Sequence, residues 1–312
     1  MIDSRIKLRH LQAFVEVARQ KSVMKAARLM HVSQPAVTKT IRELEEALGV
    51  KLFERDGRGI KITRYGEVFL RHAGTALTAV RQGLDSVTHE RVGNAPLIRV
   101  GALPTVSTHI MPRAMNLFLK ENIWSRIKIV TGENAVLLEQ LRVGDLDLVV
   151  GRLAAPEKMA GFSFEHLYSE QVVFAVRAGH PLLMAKQPIF SRIGDYTVLM
   201  PTQASIIRPF VESFLIANGI ADLPNQIETV SDSFGRAFVR SSEAIWIISA
   251  GVVATDIADG LLGILPIDTS ETKGPVGLTM RTEPNPSLPM SILIQTIREA
   301  AAEVFVSPGV SS

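Results

Sequence analysis

The chain of 312 residues predicts a winged helix-turn-helix followed by a long linker helix and a C-terminal α/β domain of two lobes. Three observations predict it. Apolar residues before residue 66 recur at helical spacing between capping residues. One amphipathic pattern then runs unbroken to about residue 89. Beyond residue 96 the pattern changes to short apolar strands alternating with helices.

Leu8, Leu11, Phe14, Val15 and Ala18 form the apolar stripe of a first helix. Ser22 is the candidate N-cap of a second, with Val23, Ala26, Ala27, Leu29 and Met30 as its face. Ala26 and Ala27 let neighbouring helices approach closely. His31 and Val32 break the run. Ser33 can cap a third helix with Pro35 in its first turn, where a missing N–H is harmless. That helix buries Val37, Ile41, Leu44 and Leu48, presents Gln34, Thr38, Lys39 and Arg42 on the other side, and ends at Gly49. Residues 51–55 then lead into a turn at Asp56-Gly57-Arg58-Gly59. Ile60-Lys61-Ile62-Thr63 alternates as a short strand, which makes a basic wing.

Charge is distributed unevenly. Residues 1–66 carry 14 Lys and Arg against 7 Asp and Glu, whereas the other 246 residues carry 20 against 24. A basic end on an acidic body suits a polyanionic partner, the alternative being a solvated basic face. A helix-turn-helix aims the N-terminus of its second helix, with free amides, toward phosphate. Ser33, Gln34, Pro35, Ala36, Thr38, Lys39 and Arg42 are therefore candidate contacts to double-stranded DNA, with Arg55 and Arg58 from the wing. Taken singly, Lys39 and Arg42 could belong to any exposed helix; the joint pattern points to DNA.

The sequence has no cysteine, which removes disulfides, thiolate metal sites and thiol nucleophiles. The seven histidines are scattered, and no metal-ligand spacing, P-loop or Gly-x-Ser-x-Gly elbow is present. An enzyme would lack a candidate catalytic residue, and no cofactor is expected. The opening residues lack the apolar core of a signal peptide, and the uncharged stretch 244–255 is too short to span a membrane. A cytoplasmic protein without membrane contact is expected. A stand-alone solute-binding protein would explain the two lobes but not the basic N-terminus. A sequence-blind DNA binder would do the reverse.

Residues 8–63 resemble, without a gap, the DNA-binding domain of LysR-type transcription regulators. The resemblance rests on Leu11-Gln12-Ala13-Phe14-Val15-Glu16-Val17-Ala18, on residues 22–29, on Val32-Ser33-Gln34-Pro35-Ala36-Val37 and on Leu44-Glu45-Glu46-Ala47-Leu48-Gly49-Val50-Lys51-Leu52-Phe53-Glu54-Arg55. The family usually has a short polar residue where Lys39 stands. The resemblance implies a regulator that binds promoter DNA as a homodimer or homotetramer, works with RNA polymerase and senses a small molecule. It also implies a periplasmic-binding-protein-like effector domain. The expected divisions are a DNA-binding domain at 1–65, a linker at 66–91 and the effector domain at 92–306.

In the linker, Val68, Phe69, Ala73, Ala76, Leu77, Val80, Leu84 and Val87 form a helical stripe over roughly 40 Å. Such a stripe needs cover, from a second copy or from the chain's own effector domain. The resemblance implies the dimer, through Phe69, Leu77, Val80 and Leu84. Residues 92–96 read as a hinge. Beyond it, strands are expected at 97–102, 127–131 and 146–150, with helices near 109–120 and 135–142, the pattern of a parallel sheet. A second set follows at 172–176, 197–200, 227–230, 244–248 and 263–266. A strand at 276–280 and a final helix at 290–305 return to the first lobe.

Two such lobes place a cleft at strand C-terminal ends. Leu103-Pro104-Thr105-Val106-Ser107-Thr108, Thr131-Gly132-Glu133-Asn134 and Pro201-Thr202-Gln203-Ala204-Ser205 are hydroxyl-bearing segments at such ends. By family position, Thr105, Val106, Thr131, Pro201 and Thr202 are the expected effector contacts, with Arg208 nearby. A single Thr or Ser caps a helix as readily as it holds a ligand, and Arg208 could equally form an ion pair. Within the family, Ile2-Asp3-Ser4-Arg5-Ile6-Lys7-Leu8-Arg9-His10-Leu11-Gln12 with Ala18-Arg19-Gln20-Lys21-Ser22 is similar to regulators of protocatechuate (pca) operons. That implies an activator of aromatic catabolism through the β-ketoadipate route, with a carboxylated, muconate-type inducer. Regulators of sugar-uptake genes are the nearest rival.

Overall fold

The computed structural model describes residues 5–57, 59–92, 95–184, 189–282 and 286–306. The N-terminal unit consists of α1 (Leu8–Gln20), α2 (Val23–Leu29), α3 (Gln34–Leu48), β1 (Phe53–Asp56), β2 (Gly59–Ile62) and the start of α4 (Arg64–Val92). The caps act as the sequence predicts. Ser22 accepts from the Lys25 amide at 3.3 Å, Ser33 accepts from the Ala36 amide at 3.4 Å, and Gly49 ends α3 at φ +69°. Phe14, Val17, Ala26 and Leu44 are fully buried. The Phe14 ring meets those of Phe53 and Phe69 at centroid separations of 5.3 and 5.2 Å, joining α1, the wing and α4 into one core. β1 and β2 pair antiparallel as the wing.

α4 is longer than the linker pattern suggests, running to Val92. Its apolar residues divide. Phe69 and Leu77 pack partly buried against the N-terminal core, whereas Val80 and Leu84 are 41% and 65% exposed. The helix also meets the effector domain: a Cβ on Gly74 would lie 2.3 Å from the Arg142 carbonyl oxygen, so only glycine permits this approach. Arg19 pairs with Asp145 at 2.7 Å across the same junction. Of the expected hinge, Gly93 and Asn94 lie outside the described residues.

The effector domain has two five-stranded sheets. The first lobe holds β3 (Leu97–Ala102), α5 (Pro104–Ser107), α6 (Ile110–Lys120), β4 (Arg126–Thr131), α7 (Asn134–Arg142), β5 (Leu148–Arg152) and β6 (Phe162–Glu170). The second holds β7 (Val172–Arg177), β8 (Val198–Met200), α8 (Arg208–Ala217), β9 (Gln226–Glu228), α9 (Asp232–Arg240), β10 (Ile245–Ser249), α10 (Ala250–Ala258) and β11 (Leu262–Ile264). The chain then returns through β12 (Gly274–Arg281) and α11 (Leu288–Val306), which packs on the first lobe's core.

The strand orders are β4-β3-β5-β12-β6 and β11-β7-β10-β8-β9. In each sheet four strands run one way and one, β12 in the first and β7 in the second, runs antiparallel between its two neighbours. The purely parallel reading is corrected at β12 and β7, and β6 is a further strand that the sequence pattern does not reveal. Pairing with β12 shifts register between Val276 and Gly277, so the side-chain alternation of β6 slips at Leu167. A Cβ on Gly277 would lie 1.9 Å from the Glu165 carbonyl oxygen, so the irregularity requires glycine there. Among the described residues, no helix is long and apolar enough to cross a membrane.

Candidate DNA-binding surface and effector cleft

On α3 the apolar side is turned inward, and the other side is open. Ser33, Gln34, Pro35, Ala36, Lys39 and Arg42 are exposed, and Thr38 is half-buried. Arg55, on β1, is exposed beside them in the wing, whereas Arg58 lies outside the described residues. The helix is held from behind by two glutamates that sequence reasoning misses. Glu45, buried, accepts from the Leu52 amide at 2.9 Å, the Phe53 amide at 3.3 Å and Lys51 Nζ at 2.6 Å, which fixes the wing relative to α3. Glu43 binds His10 and Arg9, each at 3.2 Å, and lies 4.0 Å from Lys39 Nζ. The hydrogen bond from His10, helped by Arg9, holds its carboxyl below the usual carboxylate range. The spacing Leu44-Glu45 shows why Glu45 is hidden in the sequence. It falls on the buried stripe, where its donors are two amides seven and eight positions away and a flexible lysine.

The cleft between the lobes encloses about 220 Å³. Thr105, Thr131 and Pro201 line it, as expected, together with Leu103, Glu133, Asn134, Ser205, Ser231, Asp232, Trp246 and Ser249. Three expected residues do not line it. Val106 is fully buried in the first lobe's core, because it lies one residue beyond the cleft-facing Thr105 on a helical turn. Thr202 instead donates to Glu133 Oε1 at 3.2 Å, a hydrogen bond between the lobes. Arg208 is a further correction. Its guanidinium donates to Glu212, Glu228 and the Pro201 carbonyl oxygen, all at 2.7 Å, so it braces the Pro201 segment from behind.

Among the described residues, the cleft therefore has no basic side chain in its lining, and it has two carboxyl groups, Glu133 and Asp232. Burial raises the Asp232 carboxyl's proton affinity, partly offset by Arg236. Partial positive charge is offered by backbone instead. The N-termini of α7, α9 and α10 reach the lining through Asn134, Asp232 and Ser249. The Ser231 hydroxyl is occupied in accepting from the Phe234 amide at 3.2 Å. Ser249 makes no such cap bond. Asking which hydroxyl residues stand at or just beyond the C-terminal end of each strand of the second sheet would have found Ser249 and Ser231, by the same rule that found Thr105 and Thr131.

Behind the cleft, at the crossing from β6 to β7, Glu170 accepts a hydrogen bond from the Gly251 amide at the start of α10. Burial pushes its carboxyl up to about 8, against the lowering effects of that amide and of Arg152. Arg152 donates to the Thr272 carbonyl oxygen at 2.5 Å and lies 4.5 Å over the Phe210 ring. First-lobe and second-lobe elements thus meet through a buried polar cluster next to both interlobe crossings. Among the described residues, no group of His, Asp and Glu is arranged to hold a metal ion.

Two family models match the chain: a bacterial regulatory helix-turn-helix protein of the lysR family over residues 8–67, and the LysR substrate binding domain over residues 92–302. The chain is 69% identical over 305 residues to the HTH-type transcriptional regulator PcaQ of Agrobacterium fabrum, covering 98% of both. Its fold matches full-length LysG from Corynebacterium glutamicum with bound effector Arg, at TM-score 0.63 and 17% identity, over 96% of this chain and 99% of that one. It also matches a full-length OxyR variant from Pseudomonas aeruginosa, at TM-score 0.61 and 22% identity, over 95% and 94%. With a helix-turn-helix and a two-lobed effector domain joined by one long helix, and with both family models matched in order, the chain belongs to the LysR family of bacterial transcription regulators.

Proposed function

We propose that the chain binds promoter DNA through α3 and the wing, as a homodimer or homotetramer, and activates genes of protocatechuate catabolism in the cytoplasm, together with RNA polymerase. The observation that carries this reading is the 69% identity to PcaQ along 98% of both chains, which spans the DNA-binding and effector parts alike. Ser33, Gln34, Pro35, Ala36, Thr38, Lys39, Arg42 and Arg55 supply the contacts to DNA, and the exposure of all but the half-buried Thr38 supports this assignment. Arg58 is assigned a DNA contact in the same reading. Val80 and Leu84 are the dimer contacts best supported by exposure.

The inducer is a muconate-type acid in the interlobe cleft, held by Thr105, Thr131, Ser249 and the helix N-termini. A carboxylate there is received by hydroxyl and amide donors and not by a guanidinium. A gel-shift with DNA from upstream of protocatechuate genes tests the reading. A muconate-type acid is expected to alter the affinity or mobility of the complex, while sugars leave it unchanged. A response to sugars alone would move the assignment to regulation of sugar-uptake genes.

A further inference from the structure

A second recess of opposite character lies where α4 meets the first lobe. It measures about 70 Å³, and its wall includes Arg71 and His72 from α4, Arg142 at the end of α7, Phe162 at the start of β6 and Arg281 at the end of β12. Three guanidinium groups and an imidazole share this wall, with no acidic side chain in it among the described residues. The interlobe cleft, by contrast, has two carboxyl groups and, among the described residues, no basic side chain.

Two of the arginines have structural work that leaves donors over. Arg142 donates to the carbonyl oxygens of Lys158 at 3.1 Å and Ala160 at 3.0 Å, and lies 4.6 Å over the Phe162 ring. Arg281 Nη1 donates to the carbonyl oxygens of Leu141 at 2.5 Å and Leu146 at 2.7 Å, next to the end of α7. Its Nε and Nη2 make no hydrogen bond among the described residues. The Arg71 guanidinium has neither ion pair nor hydrogen bond among them.

The fold nevertheless makes room for Arg71. Gly161 adopts φ +83°, and a Cβ there would lie 2.3 Å from Arg71 Cδ. Burial disfavours the charged form of Arg142, against the attraction of Glu139 and Glu67 and with repulsion from Arg71, and burial does the same at Arg281 against the attraction of Asp147. Glu139, 3.6 Å from Arg142 Nε, and Asp147 near Arg281 offset part of that cost, whereas no carboxylate pairs with Arg71 among the described residues; a guanidinium fork with donors to spare matches the paired oxygens of an oxyanion.

We propose that this recess is an oxyanion site, sized for one carboxylate or phosphate group, in which Arg71 of the linker helix and Arg281 of the first lobe hold the same ligand. An anion bound there ties α4 to the effector domain and fixes the N-terminal unit against it. It therefore favours this arrangement of the two domains over any other. The site is separate from the interlobe cleft and does not rest on the reading given for it.

Thermal unfolding of the full chain tests the proposal, because a ligand of the native state raises the midpoint. Inorganic phosphate and muconate are each titrated against chloride of equal ionic strength. Arg71→Met keeps the aliphatic stem against Gly161 and removes the charge; Arg71→Lys keeps the charge without the fork. At least one anion is expected to raise the wild-type midpoint above the chloride control. Arg71→Met should require at least about tenfold more of it, with Arg71→Lys in between. The anion effective at the lower concentration distinguishes a free phosphate from a carboxylated metabolite as the source. Thr105→Val, in the cleft, should retain the Arg71-dependent response, so failure of the cleft reading is seen separately. The proposal is overturned if neither anion exceeds the chloride control, or if Arg71→Met responds as wild type does.

Discussion

The outer side of α3 presents long cationic side chains, Lys39 and Arg42, to open solvent, with Arg55 of the wing nearby. The interlobe cleft presents none among the described residues; it offers the partial positive charge of helix N-termini and donors from short hydroxyls. Both surfaces suit anions, and the difference between them follows from the ligand. A duplex is large, and its counterions are released to solvent, so flexible exposed cations suffice. A small acid in a cleft must outweigh the cost of ordering whatever holds it. Backbone amides and threonines lose almost no rotamer freedom. A guanidinium in the cleft would also need a partner when the cleft is empty. Arg208 shows that need: its three acceptors hold it behind the lining.

The comparison is broken or sharpened by variants in each region. The largest effect is expected from Leu44→Ala, which removes a fully buried side chain from the N-terminal core and costs about 2–5 kcal/mol there. DNA binding should be lost while calorimetry finds inducer affinity unchanged. Loss of both would mean that the two regions do not act separately. Next comes Thr105→Val, which removes a hydroxyl donor at nearly constant volume. Inducer affinity should fall about tenfold to a hundredfold, from roughly 1.5–3 kcal/mol for a donor to a charged group, with basal DNA binding intact. Thr202→Val should act more weakly, since that hydroxyl bonds Glu133 across the lobes and does not line the cleft.

Arg42→Ala should weaken binding to all sequences and reduce the slope of log affinity against log salt by about 0.9. Lys39→Ala should instead change sequence preference, by roughly 1–3 kcal/mol at one base pair. An unchanged salt slope in Arg42→Ala would remove this residue from the phosphate contacts.

The last effect concerns stability against pH and not binding. Glu170 has its carboxyl raised from 4.5 to about 8 by burial. In the interval between those values the native state binds more protons than the unfolded state, so stability falls as pH rises through it. Below 4.5 the carboxyl is neutral in both states and contributes no such loss. Glu170→Gln should flatten that part of the stability profile, measured by urea unfolding across the interval.

The N-terminal unit is almost fully legible because its signals are local. Ser22, Ser33, Pro35 and Gly49 mark helix ends by their own backbone chemistry, and the apolar stripe needs only a short run of neighbouring residues to read. The parallel strands are legible for the same reason. What the sequence conceals depends on pairing at a distance. β6 is paired with a strand far along the chain and slips register beside Gly277, so its alternation is interrupted. Val106 and Thr105 are adjacent in sequence yet belong to core and cleft. The ion pair of Arg208 with Glu212 is legible at its i+4 spacing, but the bracing is completed by Glu228, which lies 20 positions away. Glu133 and Asp232 are unremarkable as residues; only the approach of the two lobes brings both carboxyl groups into one cleft.

The central claim is that an acid in the cleft changes how α3 holds DNA. Fluorescence anisotropy of labelled DNA from upstream of protocatechuate genes, titrated with protein at several muconate concentrations, tests it most directly when wild type and Thr105→Val are run side by side. The account predicts that both proteins bind equally without muconate. It also predicts that the muconate-dependent change in wild type moves to about tenfold or greater concentration in the variant. A muconate response of equal size and midpoint in the two proteins would contradict it.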